Sequence, residues 1–398
     1  MLLAASAVVF SFSSSAAKTI LVPQQFETIQ TGINSAHNGD TILVSTGTYF
    51  ENINFRGKKI IVASRYLITR SFDDIRQTII DGSRPIHSDT ASVVLFNSGE
   101  DSTAMLCGFT LTGGVGSLVP GAFIGGGILI RTSSSPVIQF NIIRQNSAVY
   151  GGGIAVRNSF PRLLNNALVN NRAESGGGLW MENSLVTVKN NVFCANAVDT
   201  GGGAVLIKGS FIDFANNVVT KNSAPSGAGI YCSGGIISIE YCDFFGNIGG
   251  DFGGCSDAKL GDTTAGVNYN FDHADRYKNI FRDPQFTNPA GYDFSLRCTS
   301  RLIDAGRSIP AGYPLGGGKE DIGMIEFPYR TADLNFDGRV NLVDATILVN
   351  IIFLDTPVPC PVYVGDADCN SRINIADVIA LVNFWAGLYE TECLFTPQ

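Results

Sequence analysis

Residues 151–203 read GGGIAVRNSFPRLLNNALVNNRAESGGGLWMENSLVTVKNNVFCANAVDTGGG. This stretch holds two copies of one unit, each of which runs from one glycine triplet to the next. Glycine clusters begin at Gly125, Gly151, Gly176, Gly201 and Gly227, at spacings of 25 or 26 residues. A fixed period of this length is typical of a solenoid, in which each repeat forms one coil.

Asparagine recurs at two fixed places within each unit. The first series is Asn141, Asn166, Asn191 and Asn217, with Cys242 in the fifth position, and the second is Asn146, Asn171, Asn196, Asn222 and Asn247. Stacked coils place equivalent residues above one another, so we expect these amides to hydrogen-bond along the stack. Asparagine and glycine also tolerate the left-handed backbone that corners require, which favours a structural role for both.

Apolar and polar residues alternate between these landmarks. Two columns are wholly apolar: Ile138, Leu163, Val188, Phe214 and Ile239, and then Ile143, Leu168, Phe193, Val219 and Phe244. A period of two predicts short strands, and no helical run interrupts them. The repeats therefore predict an all-β parallel solenoid with about 25 residues in each coil.

Residues 18–328 resemble the right-handed parallel β-helix repeat proteins of pectate-lyase-like architecture. The resemblance rests on VPQQFETIQ at 22–30, NGDTILV at 38–44, GTY at 47–49, IIDG at 79–82, DPQF at 283–286, IDAG at 303–306 and DIG at 321–323. The helical spacing of Phe26, Ile29 and Ile33 predicts a short helix that caps the first coil. Because this architecture includes lyases, hydrolases, epimerases, adhesins and inert scaffolds, the resemblance implies a fold and leaves the activity open.

The last 68 residues, from Thr331 to Gln398, hold nine acidic residues and two arginines, whereas the rest of the chain is nearly neutral. Two copies of a 12-residue pattern lie 33 residues apart in this segment. The predicted ligands are Asp333, Asn335, Asp337, Arg339, Asn341 and Asp344 in the first loop, and Asp366, Asp368, Asn370, Arg372, Asn374 and Asp377 in the second. Each arginine would offer its backbone carbonyl. Six to eight oxygens suit Ca²⁺, so we predict one calcium ion in each loop.

Helical spacing follows each loop, at Ile347, Leu348, Ile351 and Ile352 and then at Val378, Ile379, Val382 and Trp385. Two half EF-hands of this kind resemble a type I dockerin, which implies a small α-helical Ca²⁺-binding domain over residues 331–398 and a cohesin-like partner. Ser371 replaces the turn glycine of the second loop, which predicts a weaker site there. Leu342-Val343 and Ile375-Ala376 stand where dockerins that bind cohesin often carry hydroxyl residues, so the alternative is that the module packs against its own chain or another cell-surface protein.

The first seventeen residues carry no charge, and an apolar run at 2–12 is followed by Ser15-Ala16-Ala17. This pattern predicts a signal peptide over residues 1–17 and a secreted or cell-surface protein. No other segment is apolar for long enough to cross a membrane. The net charge of −8 lacks the basic footprint that nucleic acid requires.

Nine cysteines are present, and some are expected to pair in an exported protein. Cys360, Cys369 and Cys393 lie close together in the acidic segment. Four others, Cys107, Cys194, Cys232 and Cys242, have apolar, strand-like surroundings, which favour small buried side chains.

Candidate functional residues lie on the outward columns. Arg162 and Asp213 share one column, and Lys189 and Glu240 share the column two residues on. This charged patch could serve a polysaccharide lyase or hydrolase, or it could be a salt-bridged surface. Trp180 and Tyr231 are predicted to point outward, where they could stack on sugar rings. The residues His37, His87 and His273 lack metal-ligand spacing, and Asp73-Asp74 is expected in a polar turn.

These features predict an extracellular, calcium-binding β-helix protein that binds or breaks down polysaccharide. Whether it is an enzyme, of the hydrolase or lyase type, stays open at this point. The alternative is a non-catalytic structural or adhesion protein of a cell surface or envelope.

Overall fold

The computed structural model of the 398-residue chain describes residues 16–268, 270–307, 319–328, 331–337, 339–354, 356–357, 359–368, 370 and 372–388. The predicted signal peptide lies outside these residues, apart from Ala16 and Ala17. Most strands pair in parallel with the strand one coil away, for example Ile154–Arg157 with Leu179–Glu182. The chain forms a parallel β-solenoid of about nine coils, which confirms the predicted fold.

Each regular coil contributes four short strands, which stack into four faces. Face 1 contains Thr19–Val22, Thr41–Val44, Ile61–Ser64, Met105–Cys107, Val137–Gln139, Arg162–Leu164 and Leu185–Lys189. Face 2 contains Gly47–Tyr49, Thr78–Asp81, Thr110–Thr112, Ile142–Arg144, Ala167–Val169, Val192–Cys194, Val218–Thr220 and Asp243–Phe245. Face 3 contains Thr90–Ala91, Gly116–Val119, Ala122–Ile124, Ser147–Tyr150, Arg172–Ser175 and Ala197–Val198. Face 4 contains Ile53–Asn54, Val94–Phe96, Ile128–Arg131, Ile154–Arg157, Leu179–Glu182 and Phe252–Gly253. The long strands Val205–Ala215 and Ile230–Glu240 turn the corner and belong to both face 4 and face 1.

Three antiparallel hairpins depart from the parallel stack. In the first, Gly116–Val119 pairs with Ala122–Ile124 and projects from face 3. The others are Gly266–Val267 with His273–Ala274 and Phe286–Asn288 with Asp293–Leu296. The helices are Ile29–Ser35, Tyr66–Thr69, Phe72–Gln77, Leu342–Leu354 and Ile375–Trp385, with 3₁₀ turns at Pro289–Gly291 and Val362–Gly365.

Both predicted apolar columns line the interior, and all ten of their side chains are buried in the main core. The two asparagine series stack beside this core. Asn166 Nδ2 donates to Asn191 Oδ1 at 3.0 Å, and Asn191 Nδ2 donates to Asn217 Oδ1 at 3.1 Å. The second series repeats this geometry from Asn171 to Asn196 at 3.0 Å. The predicted amide-to-amide bonds are therefore present.

The left-handed corner residue is not the stacked asparagine but the residue before it. In both series these preceding residues have φ between 53° and 57°, and they include Asn165, Asn170, Asn190, Ala195, Asn216 and Lys221. The side-chain amide of the stacked asparagine bonds to the next coil. The left-handed backbone conformation is therefore adopted by the residue before it. Gly202, rather than Gly201, lies over Gly176, because Leu179 pairs with Val205. Both glycines have positive φ, at 72° and 64°.

The predicted cap helix covers the first coil as Ile29–Ser35, with Ile29 and Ile33 buried against the core and Phe26 packed beside it. Thr28 caps its N-terminus by accepting a bond from the Thr31 amide. The carboxylate of Glu51 accepts two more, from the amides of Ile29 and Gln30. The first amides of a helix lack partners within the helix, so Glu51 joins this cap to the second coil.

The described residues of 274–327, called the closing segment here, pack across the outside of face 2. Its apolar residues Leu302, Ile303 and Ile322 are fully buried together with Val192 and Val218 of the solenoid. This closing segment follows the last coils of the solenoid. It also makes face 2 a second hydrophobic layer rather than an exposed surface.

The C-terminal module, defined here as the described residues from Thr331 to Leu388, has its own small core. Leu334, Ala345, Leu348, Ala380 and Leu381 are buried between its two helices, which confirms the predicted helical segments. A disulfide from Cys298 to Cys360 joins this module to the closing segment.

Cysteine pairing differs from the prediction in two places. Cys360 pairs outside the acidic segment, and Cys232 pairs with Cys255 rather than staying free. Cys255 follows Cys232 by 23 residues and Cys298 precedes Cys360 by 62, and neither Cys255 nor Cys298 belongs to a repeated column, so periodicity could not reveal these partners. Cys107, Cys194 and Cys242 are free and buried, as predicted. Burial raises the pKa of the Cys107 and Cys194 thiols to about 11, which makes them poor nucleophiles.

Replacing Asn191 by leucine should lower the free energy of unfolding by about 3 kcal/mol or more, because several buried polar groups lose their partners at once. The amide accepts two bonds from Asn166 and donates to the Leu163 carbonyl and to Asn217. Chemical denaturation of the full chain measures the change.

The matched control is Cys242→Asn, in the fifth position of the same series. Asn217 now reaches only the weak sulfur acceptor of Cys242, at 3.4 Å from its backbone nitrogen. An asparagine here would supply a carbonyl acceptor, so we expect unchanged or higher stability. An equal decrease in the free energy of unfolding in Asn191→Leu and Cys242→Asn would show that side-chain packing in this series, and not its hydrogen bonds, stabilises the fold.

Two carboxyl groups in the closing segment, the buried Asp321 and the half-buried Glu326, should make stability fall as pH rises. Burial raises the pKa of Asp321 from 3.8 to about 7, with repulsion from Asp304 adding to the effect, and burial raises the pKa of Glu326 from 4.5 to about 9, with repulsion from Asp321 adding to it. The folded state therefore binds more protons than the unfolded chain, and stability is lost between about pH 4 and pH 9. Glu326→Gln should melt above the wild type at pH 8 and show a smaller decline from pH 5. The exposed change Glu174→Gln should leave the decline as it is, and an unaltered profile in Glu326→Gln would contradict the assignment.

Candidate functional site

A cleft of about 430 Å³ lies on the outside of face 4. Two outward columns form its floor. The first column contributes Trp180, Leu206 and Tyr231 to the lining and continues beyond it to Ala155 and Leu129, and the second contributes Arg157, Glu182, Lys208 and Ser233 and continues to Arg131. Because side chains alternate along each strand, both columns point away from the solenoid core.

The hairpin on face 3 forms one wall of the cleft. Its residues Val119 and Ile124 are buried against Trp180, and the tip at Pro120-Gly121 borders the opening. Tyr150 stacks on Trp180 with the ring centroids 5.3 Å apart. Trp180 is only 5% exposed as a result. The prediction that it points outward is correct, but it supports the cleft from below, whereas Tyr231 is half-buried and lines the cleft.

Three charged side chains form a row along the cleft. Glu182 accepts bonds on both oxygens, from Arg157 Nε at 2.9 Å and from Lys208 Nζ at 2.8 Å. Its side chain is 12% exposed, while that of Lys208 is 56% exposed. Arg131 precedes Arg157 in the same column, and its Nε atom is buried without a hydrogen-bond partner among the described residues. Positive charge therefore exceeds negative charge along this column.

This arrangement suits recognition more than bond cleavage. Aromatic faces and hydroxyl groups are found together, and Ser175 and Ser233 add to the polar lining. Glu182 is the one carboxylate among the described lining residues, and both of its oxygens are already paired. Hydrolysis of a glycosidic bond ordinarily uses two carboxyl groups. The cleft has the composition of a binding site for a polar ligand with apolar faces.

Sequence reasoning missed Arg157, Glu182 and Lys208. The signal was present, because each lies six residues after the glycine that turns its coil: Gly151, Gly176 and Gly202. Comparing residues in that column would have revealed the charged row. The hairpin wall has no counterpart in the other coils, so the repeat could not predict a cleft.

The predicted charged patch on face 1 is present, with one addition. Lys189 Nζ lies 2.9 Å from Asp213 Oδ2, as the stacked columns imply. Arg307 of the closing segment joins it, with Nη1 at 2.7 Å from Glu240 Oε1 and 3.9 Å from Asp213 Oδ1. Arg162 shares the column of Asp213, but Thr187 separates them.

Each carboxylate of this patch is neutralised by a neighbouring cation. The closing segment is also fixed nearby, because the Arg307 amide donates to Asn216 Oδ1 at 2.7 Å and Asn216 Nδ2 donates to Glu320. Burial raises the pKa of Glu320. The pairing therefore fits an attachment point for the closing segment, the salt-bridged alternative of the sequence analysis.

The remaining candidates are unremarkable in their surroundings. His37 and His273 are exposed, and His87 lies in an exposed turn. Asp73 and Asp74 lie at the start of the helix Phe72–Gln77, whereas a polar turn was predicted. Asp73 pairs with Arg76. An acidic pair at a helix N-terminus is favourable there without any ligand.

The two predicted calcium loops fold alike. In the first loop the buried Asp344 accepts bonds from the amides of Leu334 and Asn341, each at 2.9 Å. In the second, Asp377 accepts bonds from the amides of Asp368 and Asn374, at 3.2 and 2.7 Å. In each loop the carboxylate at position 12 therefore accepts hydrogen bonds from the backbone near the start of the loop, at position 2 or 3, and from the backbone at position 9. Burial raises the pKa of Asp377.

The second loop brings three predicted ligands together. Carboxylate oxygens of Asp366, Asp368 and Asp377 all lie within 4.8 Å of one another. Asn374 has another task, since its side chain caps the following helix by accepting a bond from the Ala376 amide at 2.9 Å. Asn341 accepts from Val343 in the same way. The carboxylate set has the hard oxygen chemistry that Ca²⁺ prefers.

Comparison with known proteins supports the fold. Residues 121–244 match the family model for the right-handed β-helix region. No curated protein matches the sequence. The chain is similar to pectate lyase Pel9A, with 12% identity and a TM-score of 0.35 over 78% of this chain and 97% of the other. It is also similar to the pectin methylesterase from Aspergillus niger, with 12% identity and a TM-score of 0.29 over 62% of this chain and 88% of the other. Likeness this distant says nothing of what this protein binds.

None of the helices within the described residues combines the length and the apolar character needed to cross a bilayer.

Proposed function

We propose that this protein is an extracellular, calcium-binding β-helix protein whose face 4 cleft binds polysaccharide. The observation that carries the proposal is the row Arg157–Glu182–Lys208 beside the aromatic side chains of Tyr231 and Tyr150. Sugar rings present apolar C–H faces to aromatic groups and hydroxyl groups to charged ones. The cleft is lined by Arg157, Glu182, Lys208 and Ser233 of four successive coils, so it extends along the solenoid axis.

The charge of the cleft favours a glycan that carries acidic groups. Arg157 and Lys208 outnumber Glu182 in the lining, and Arg131 adds a further cation in the same column. Guanidinium groups bind carboxylates in a bidentate manner, and exposed ammonium groups add charge-assisted hydrogen bonds. Binding rather than cleavage is proposed, because the lining offers one fully paired carboxylate.

The C-terminal module is proposed to hold one Ca²⁺ ion in each loop, as a dockerin-like domain does. The grouping of Asp366, Asp368 and Asp377 supports this proposal, and the matching bonds of Asp344 extend it to the first loop. Leu342, Val343 and Ile375 are 44%, 54% and 49% exposed at equivalent positions of the two loops. Exposed apolar residues there favour a protein partner, of the cohesin type or another cell-surface protein.

Export is proposed from the apolar start of the sequence together with two disulfides. Cys232–Cys255 and Cys298–Cys360 are pairs of a kind that persist in oxidising compartments. A secreted protein also meets the millimolar calcium that weak loops require.

Lys208→Ala should weaken binding to an acidic polysaccharide about tenfold, since a hydrogen bond to a charged group contributes about 1.5–3 kcal/mol. Tyr231→Ala should weaken binding to acidic and neutral chains alike. Calorimetric titration with oligosaccharides of polygalacturonate, alginate, xylan and β-glucan measures both.

The control for this experiment is Lys59→Ala. Lys59 is 54% exposed and paired with Asp101, much as Lys208 is paired with Glu182. Its removal should leave affinity unchanged. No binding to any glycan by the wild type, or equal losses in Lys59→Ala and Lys208→Ala, would overturn the assignment of the cleft.

The full chain should bind two Ca²⁺ ions, with Asp333→Asn abolishing one site and Asp366→Asn the other. Ser371→Gly should tighten the weaker site, because glycine suits the sharp turn at position 6 of such loops. Calorimetry with Ca²⁺ measures both changes, and Asp73→Asn is the control for a carboxylate outside the loops. A wild type that binds no calcium, or two sites that survive both loop variants, would contradict this proposal.

A further inference from the structure

Four apolar side chains form an exposed column at the edge of face 1, next to the corner with face 4. Phe160, Leu185, Phe211 and Ile236 are 50%, 51%, 49% and 64% exposed. Leu185, Phe211 and Ile236 pair in register, and Phe160 precedes Arg162, the partner of Thr187, by two residues. We call this column the apolar stripe. Continuous apolar surface of this kind marks an interaction site in most soluble proteins.

The neighbouring outward column carries charge in a particular order. It reads Arg162, Thr187, Asp213 and Ser238 along successive coils. Arg162 lies one coil before Thr187, and Asp213 lies one coil after it. Phe160 and Phe211 flank Leu185 in the same way. Over the three coils centred on Leu185 and Thr187, these two columns are therefore symmetric in shape and opposite in charge, whereas Ile236 and the neighbouring Lys189 column lie outside this symmetry.

We propose that face 1 is the interface with a second copy of this chain, related by a two-fold axis at the coil of Leu185 and Thr187. The axis runs along the strands, so the two solenoids lie antiparallel. Phe160 of one copy then meets Phe211 of the other, and Arg162 meets Asp213. A two-fold interface must be self-complementary in this sense.

The charges select this arrangement over a parallel one. With the solenoids parallel and the charged columns facing each other, Arg162 would meet Arg162 and Asp213 would meet Asp213. Arg162 is exposed and makes no side-chain ion pair within the part of the chain that the structure describes. Asp213 keeps 42% of its side chain exposed despite its ion pairs with Lys189 and Arg307. Both groups are thus accessible to a partner.

The size of the surface predicts a dimer of moderate affinity. Stable interfaces bury about 1,200–2,000 Å² in total, so the charged column must be covered along with the apolar stripe. The apolar stripe and the column of Arg162 and Asp213 then lie side by side in the interface. Facing charges tune specificity and association rate more than affinity.

Sedimentation velocity of the full chain over a range of concentrations tests the proposal. The wild type should show a monomer–dimer equilibrium, and Phe211→Asp should raise the dissociation constant about tenfold or more, as for loss of a central anchor. Arg162→Asp should weaken the dimer, and Arg162→Asp/Asp213→Arg should restore part of it, since each pair again carries opposite charges. Melting curves identify any variant that fails to fold.

Cross-linking tests the position of the axis without altering charge. Facing sheets pack about 10 Å apart, which is too far for a disulfide and within reach of a short bis-maleimide. Thr187→Cys should cross-link to its own copy. Ser238→Cys should not, because four coil spacings of ~4.8 Å along the axis separate it from its copy. A wild type that stays monomeric at every concentration, or cross-linking that is equal at the two positions, would overturn the dimer. Monomers whose adsorption to insoluble glycan falls in Phe211→Asp would assign the apolar stripe to sugar instead.

Discussion

The stacked asparagines are the constraint on which the other features of this solenoid depend. Each inner amide accepts from the backbone and the side chain of the preceding coil, and it donates to a carbonyl 28 or 29 residues back, as Asn191 does to Leu163 and Asn217 to Val188. A shift by one residue would turn every side chain to the opposite surface of its strand. It would also leave these fully buried amides without partners, which is costly in a low-dielectric interior. The ladders therefore fix which residues face outward, and with them the contents of every surface column.

The cleft results from combining this regular register with one irregular insertion. The column Arg157–Glu182–Lys208 needs only the repeat, because its members are neighbours on successive coils. What converts a charged row into a cleft is the hairpin from Gly116 to Ile124, which buries Trp180 and raises a wall beside it. The repeat sets the spacing between the charged side chains, and the non-repeating hairpin covers Trp180 and so reduces the contact of the cleft floor with water. Function in such a fold is expected where the period is broken.

Much of the solenoid could be predicted because its information is local and repeated. The inward columns, the amide bonds, the outward charges and the cap helix all follow from alternation and a fixed period. The features that escaped prediction depend on contacts between periodic and non-periodic segments. Cys232–Cys255, Cys298–Cys360 and the bonds of Arg307 to face 1 each join a coil or the closing segment to a residue outside its own repeated pattern. The calcium ligands are the opposite case: their spacing was readable, and binding of the ion itself stays a prediction.

The coil spacing also bears on whether the surface could support hydrolysis. Carboxylates on adjacent or next-adjacent coils lie about 4.8 or 9.6 Å apart, close to the separations that retaining and inverting glycosidases use. A β-helix therefore produces hydrolase-like spacing whenever two acids fall in one column. On face 4 the row contains one acid, held by two cations. On face 1 Asp213 and Glu240 are on neighbouring coils, but Lys189 and Arg307 pair with them. Glycoside hydrolysis uses one protonated and one ionised carboxyl group, whereas each carboxylate described in these two sets is paired with a cation.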